Sequence, residues 1–161
     1  VRRHRTDFLR RDLMRRSGLN DVRLIDELTR LGITSESLIA VRLIPLIMVA
    51  WAEREVTDAE RESVRVEAAK MGIGETTIPG KVLDAWLQMR PKPEMADAWK
   101  RYSQLLLESM SDEMREVYIN ELRREMMVIA RASGGKPGIG RINQEEQEVI
   151  NRFTRLAHSA M

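Results

Sequence analysis

The stretch Val49-Ala50-Trp51-Ala52-Glu53-Arg54-Glu55-Val56-Thr57-Asp58-Ala59-Glu60 decides the fold of this chain. An apolar helix ends at its Ala-x-Ala segment, a charged turn follows, and a second helix begins after Thr57. Thr57 and Glu60 have the spacing of a capping box, in which the hydroxyl accepts from the amide three residues on and the glutamate accepts from the cap amide. The stretch therefore predicts a helix-turn-helix hairpin.

A second stretch near the C-terminus repeats this arrangement. It consists of Ile129-Ala130-Arg131-Ala132, the turn Ser133-Gly134-Gly135, six additional residues (136–141), and Ile142-Asn143-Gln144-Glu145-Glu146. Internal similarity of this kind favours two pseudo-equivalent hairpins that pack around an approximate twofold axis. The alternative is that two unrelated hairpins share capping chemistry by chance.

The rest of the chain contains residues typical of helix starts and ends, and it lacks the alternation of apolar and polar residues that is typical of a strand. We expect Asn20 to cap one helix and Pro45 either to kink a helix or to begin a new one. We expect Trp51, Trp86 and Trp99 to be mostly buried and to help join the hairpins through the intervening helices. The expected helices cover residues 7–16, 21–31, 57–71, 79–89, 93–110, 112–132 and 143–158, together with the apolar run after residue 34. The sequence thus predicts an all-α bundle of about seven to eight helices.

The composition excludes several classes of chemistry. Of 161 residues, 43% are hydrophobic and 32% are charged, as in an ordinary globular domain. There is no cysteine and there are only two histidines, His4 and His158. Disulfides, thiolate catalysis and cysteine-ligated metals are therefore excluded, and few side chains titrate near neutral pH. We expect no catalytic and no cofactor-binding residues.

Charge divides the chain into two parts. The net charge is +2, but residues 1–16 carry +5 and the remainder carries −3. We expect an Arg-rich helical segment over residues 1–33, which continues a longer protein because the chain starts at Val1, and a helical domain over residues 34–161. The basic segment has little aromatic interleaving, so we expect no specific nucleic-acid binding. The longest apolar run, residues 38–52, is too short to span a bilayer.

The two hairpin motifs resemble those of the TerB-like proteins associated with tellurite resistance. The first motif of that family reads Val-Ala-x-Ala-Asp-Gly, a β-branched residue, and a glutamate three residues after the cap, which residues 49–60 approach. Residues 130–135 and 143–146 are similar to its second motif. The chain departs from the family pattern at Glu53-Arg54, which replaces Asp-Gly. The resemblance implies a helical bundle of about seven helices, a cytoplasmic bacterial setting, and a role in stress or metal resistance.

The turn between the helices of the first hairpin is also a candidate site for a divalent cation. Five carboxylates fall within ten residues, and oxygen ligands at a turn suit a hard divalent cation such as Ca²⁺ or Mg²⁺. If a divalent cation binds this chain, we expect Glu53, Asp58 and Glu60 to be its ligands, with Glu53 at the acid position of the family. The alternative is that these carboxylates are solvated, stabilise the helix N-terminus and pair with Arg54 and Arg61.

Two functions follow from these observations. The first is a non-enzymatic TerB-like interaction module that binds a protein partner and responds to a divalent metal. The second is a metal-dependent enzyme that works with carboxylates alone, for which Glu121 and Glu125 on the long helix are candidates. No Glu-x-x-His motif accompanies these two glutamates, so the first function is favoured.

Overall fold

The structure of this chain is a computed structural model that describes residues 2–132 and 142–159. Within these ranges the chain forms eight α-helices and one 3₁₀ helix. No strand occurs in these two ranges. The α-helices are α1 (Arg2–Ser17), α2 (Val22–Arg30), α3 (Ile44–Ala50), α4 (Asp58–Lys70), α5 (Ile78–Gln88), α6 (Glu94–Glu108), α7 (Asp112–Ala132) and α8 (Gln144–Ser159). This confirms the all-α bundle. The Ser133-Gly134-Gly135 turn and residues 136–141 lie outside the described residues.

Proline and the polar caps set the helix boundaries. Residues Leu38–Leu43 form the 3₁₀ helix, and α3 then begins afresh with Pro45 in its first turn. Proline is tolerated there because the first-turn amides have no partner within the helix. The sequence predicted Asn20 as the cap of α2, but the cap is the next residue, Asp21. The Oδ1 atom of Asp21 accepts from the amide of Leu24 at 3.0 Å, and a carboxylate is also favoured by the helix dipole.

The two predicted hairpins, α3–α4 and α7–α8, form the centre of the bundle. Helix α3 packs against both α7 and α8, and α7 in turn packs against both α3 and α4. These contacts are reciprocal: the first helix of each hairpin touches both helices of the other. Ala50 and Ala130, from the two Ala-x-Ala segments, are fully buried, as close approach of helix backbones requires.

The intervening and N-terminal helices complete one continuous core. Helix α6 packs against α2, α3 and α8, and α1 packs against α2. Leu13 of α1 and Leu28 of α2 belong to the same buried cluster as the hairpin residues. The Arg-rich segment 1–33 therefore contributes apolar side chains to the core of residues 34–161.

The three tryptophans differ in burial. Trp99 is fully buried and meets Phe153 of α8 edge to face, with ring centroids 5.1 Å apart. Trp51 and Trp86 are only partly buried, and the Trp51 indole donates to the Trp86 carbonyl oxygen at 2.7 Å. All three rings therefore pack in or against the core, as expected, and the indole N–H of Trp51 is satisfied by a carbonyl.

The described helices do not include a candidate membrane span: none combines the necessary length with sufficient apolar character.

Candidate functional site

The candidate site is the junction at which the turn before α4 meets the turn before α8. Both helices begin with a reciprocal capping box. At α4, the Thr57 amide donates to Glu60 Oε1 at 2.9 Å, and the Glu60 amide donates to Thr57 Oγ1 at 3.1 Å. At α8, the Asn143 amide donates to Glu146 Oε1 at 3.0 Å, and the Glu146 amide donates to Asn143 Oδ1 at 2.8 Å. The same chemistry thus starts the second helix of each hairpin.

Both capping glutamates are buried. Glu60 is 3% exposed and Glu146 is 1% exposed, whereas a capping-box glutamate on a surface helix would be largely solvated. Burial of a carboxylate is tolerated only when hydrogen bonds satisfy its oxygens. The capping bonds provide part of that compensation at each glutamate.

Glu53 joins the two turns. It is exposed on the first turn, and its Oε1 atom accepts a hydrogen bond from Asn143 Nδ2 on the second. Asn143 thus contributes its amide and side-chain oxygen to its own cap and its side-chain N–H to the other hairpin. The result is a single junction of three glutamates, Glu53, Glu60 and Glu146, supplied by both hairpins.

The electrostatics of the junction follow from burial and from the proximity of like charges. Burial raises the pKa of Glu60 above its ordinary value, and the nearby Glu146 and Glu53 raise it further, while the hydrogen bonds from Thr57 oppose the shift. The three carboxylates are therefore close enough for their negative charges to repel one another. A proton or a cation at this junction would relieve the repulsion among them.

The structure separates the three residues that the sequence proposed as metal ligands. Glu53 and Glu60 come together, but the side chain of Asp58 is fully exposed and pairs with Arg61 at 2.8 Å. The third carboxylate of the junction is Glu146, which the sequence hypothesis did not include. The repeated capping box was the signal for it, because Glu146 holds in the second hairpin the capping position that Glu60 holds in the first.

The junction is not arranged as a ready metal site. Across the described ranges no three Asp, Glu or His side chains are placed to hold a metal ion together. Glu60 and Glu146 each direct one carboxylate oxygen to a cap amide. Since Glu53 is exposed, it is the carboxylate that can rearrange toward an ion at the smallest cost.

The glutamates of the enzyme hypothesis lie elsewhere, between α4 and α7. Glu121 is exposed and pairs with Arg124 at 3.2 Å, and Arg124 also approaches the buried Glu67 at 3.5 Å. Burial raises the pKa of Glu125, and the neighbouring Glu67 adds to the shift. Glu121 is thus paired with an arginine on the exposed side of α7.

Comparison with known proteins does not extend these observations: no protein-family model, no curated protein and no solved structure matches the chain.

Proposed function

We propose that this chain is a non-enzymatic TerB-like interaction module that acts in a bacterial stress or tellurite-resistance system in the cytoplasm. The observation that carries the proposal is the junction of the two capped turns. Two hairpins with the quoted motifs pack reciprocally, and their buried capping glutamates meet beside Glu53. In this proposal the two motifs build one acidic junction, and the exposed surface of the helices binds the partner.

We further propose that the junction responds to a divalent cation, Ca²⁺ or Mg²⁺. Three carboxylates in proximity repel one another, and a bound dication would replace that repulsion with attraction. Glu53 would leave Asn143 to become a ligand, together with a free oxygen of Glu60. The coupling between the hairpins would then depend on the cation, which gives a metal-responsive module a physical basis.

No observation on the described residues favours the enzyme alternative. Its two glutamates lie on one helix, and one of them is bound to Arg124.

The cation response is tested by thermal unfolding with Ca²⁺ or Mg²⁺ in the wild type and in Glu53→Gln. A cation that binds only the folded state at a hundred times its dissociation constant stabilises by about 2.7 kcal/mol. We expect the melting temperature of the wild type to rise with cation concentration and the rise to be reduced in Glu53→Gln, which keeps the size of the side chain but removes its charge.

Asp58→Asn is the matched control, because Asp58 lies in the same turn yet points to solvent. We expect it to respond to the cation as the wild type does. An equal response in wild type and Glu53→Gln, or no response in either, rejects a cation site at this junction. The acidic surface would then remain available only to a basic protein partner.

A further inference from the structure

A groove runs along the first half of α7. It has a volume of about 280 Å³, and most of its lining is apolar, from α7 and from Met71 and Met110. The charged side chains of the lining are Glu121, Glu125 and Arg42, and Arg42 lies over the Tyr118 ring. Two of its α7 residues, Met114 and Val117, are 58% and 63% exposed. Large apolar side chains that remain this exposed next to a groove are typical of a protein-binding surface, and methionine adapts readily to a partner.

The groove is bordered by negative charge. Residues 112–121 carry a net charge of −3. Glu113 and Glu116 are exposed and have no ion-pair partner in the part of the chain that the structure describes. Glu113 lies one turn before Val117 on the same side of the helix and adjoins the apolar stripe, and Glu121 lines the groove itself. Glu116, the residue just before Val117, lies on a different side of the helix. The surface therefore fits a helix that presents an apolar side chain between positive charges.

The chain itself carries such a helix face on α1. Phe8 is 66% exposed, and Arg5 and Arg11 lie three residues before and after it, on the same side of the helix. Both arginines are exposed and unpaired among the described residues. The other described arginines of α1 are held by Asp12 or Asp26. The Phe8 face is thus the free, basic and apolar side of α1.

Among the described residues, helix α1 does not line the groove of its own chain, and its contacts anchor it against α2. Leu13 is fully buried, Arg10 pairs with Asp26 at 3.0 Å, and Ser35 Oγ donates to Asp12 Oδ2 at 3.0 Å. These contacts fix the second half of α1 and leave the turn around Phe8 facing solvent. The groove that this face can meet belongs to another molecule.

We propose that two copies of this chain associate through these surfaces, with Phe8 of one copy entering the α7 groove of the other between Met114 and Val117. Arg5 and Arg11 then lie against the acidic side chains of Glu113 and Glu121. This inference rests on the proposed function as an interaction module and names its partner. It does not involve the acidic junction, so a failed cation response leaves it standing.

The test is sedimentation velocity of the purified chain over a wide concentration range. The wild type is expected to associate, and association is expected to weaken at least about tenfold from low to high salt because the charges are exposed. Phe8→Glu and Val117→Lys should each remain monomeric at concentrations at which the wild type associates. The control Met89→Glu changes an apolar side chain that is 76% exposed elsewhere, and it should associate as the wild type does.

A mixture of the two variants makes the test specific to this pair of surfaces. Phe8→Glu keeps an intact groove and Val117→Lys keeps an intact α1, so the mixture should form a one-to-one complex although neither variant self-associates. The charge reversal Arg5→Glu with Arg11→Glu should abolish association, and Glu113→Lys with Glu121→Lys in the second copy should restore it.

A wild type that stays monomeric at every concentration overturns the proposal and leaves the groove to a different protein. Association that survives either Phe8→Glu or Val117→Lys, or a mixture that stays monomeric, also overturns it. Circular dichroism establishes that each variant is folded, which is expected because all the changed side chains are exposed.

Discussion

Replacement of Trp99 by alanine is expected to cost about 3–5 kcal/mol of unfolding free energy, the range found for large aromatic side chains removed from a core. Trp99 is fully buried on α6 and packs edge to face against Phe153 of α8. Its removal leaves a cavity between the connecting helices and the second hairpin. The loss would be measured by urea unfolding of the wild type and Trp99→Ala, followed by circular dichroism.

Trp99→Phe provides the matched comparison. The Trp99 indole nitrogen is buried and has no hydrogen-bond partner among the described residues. Phenylalanine keeps most of the apolar contact and removes this unsatisfied donor, so its cost should be clearly smaller than that of alanine. A loss below about 1 kcal/mol in Trp99→Ala would contradict the placement of this ring in the core.

Gly80→Ala is expected to reduce the unfolding free energy by about 2–4 kcal/mol, because the added methyl group overpacks this position and disrupts the helix cap made by Thr77. A Cβ atom at Gly80 would lie 2.0 Å from the carbonyl oxygen of Gly74, a backbone atom that cannot rotate away. The turn that would have to open is closed by two bonds of Thr77 Oγ1. It accepts from the Gly80 amide at 3.1 Å and donates to Gly74 O at 2.6 Å.

Gly74→Ala is the control for this prediction. A Cβ atom there would come no closer than 3.8 Å to the Thr77 side chain, and Gly74 does not require a positive φ. The substitution should therefore change the unfolding free energy by less than about 0.5 kcal/mol. Equal effects of the two substitutions would show that the close approach of Gly80 and Gly74 is absent in the folded protein.

The features that the sequence predicted correctly depend on neighbouring residues. The Thr57 capping box needs only residues 57–60, and the restart at Pro45 needs only the missing amide and the fixed φ of proline. The α7 helix is also correct over its whole length, 112–132, because Ser111 and two acids mark its start and an apolar stripe runs along it.

The features that the sequence did not predict depend on contacts between distant elements. Asp58 and Glu146 illustrate the difference: both are acids near a helix start, but only the packing of one hairpin on the other decides which of them meets Glu53 and Glu60. The tight approach of Gly80 to Gly74 is likewise absent from any pattern of residue types. The hydrogen bond from the Trp51 indole to the Trp86 carbonyl also joins residues that are 35 positions apart.

The raised pKa of Glu60 has a consequence for stability. A carboxyl group whose pKa is higher in the folded chain than in the unfolded chain binds the proton more tightly when folded. Its contribution to stability is therefore greatest below the unfolded value and is lost as the pH rises through the folded value. Glu60→Gln should remove this part of the pH dependence, because glutamine still accepts the Thr57 amide but carries no charge.

The titration of the Glu60 carboxyl, followed by carbon NMR in the wild type and in Glu146→Gln, tests most directly whether the two turns form one junction. We expect a wild-type midpoint above the ordinary value of 4.5 and a lower midpoint in Glu146→Gln, since one of the neighbouring negative charges is removed. Asp58→Asn should leave the midpoint unchanged, because that side chain is fully exposed and paired with Arg61. A Glu60 midpoint at or below 4.5, or one that does not respond to Glu146→Gln, would contradict a shared junction between the hairpins.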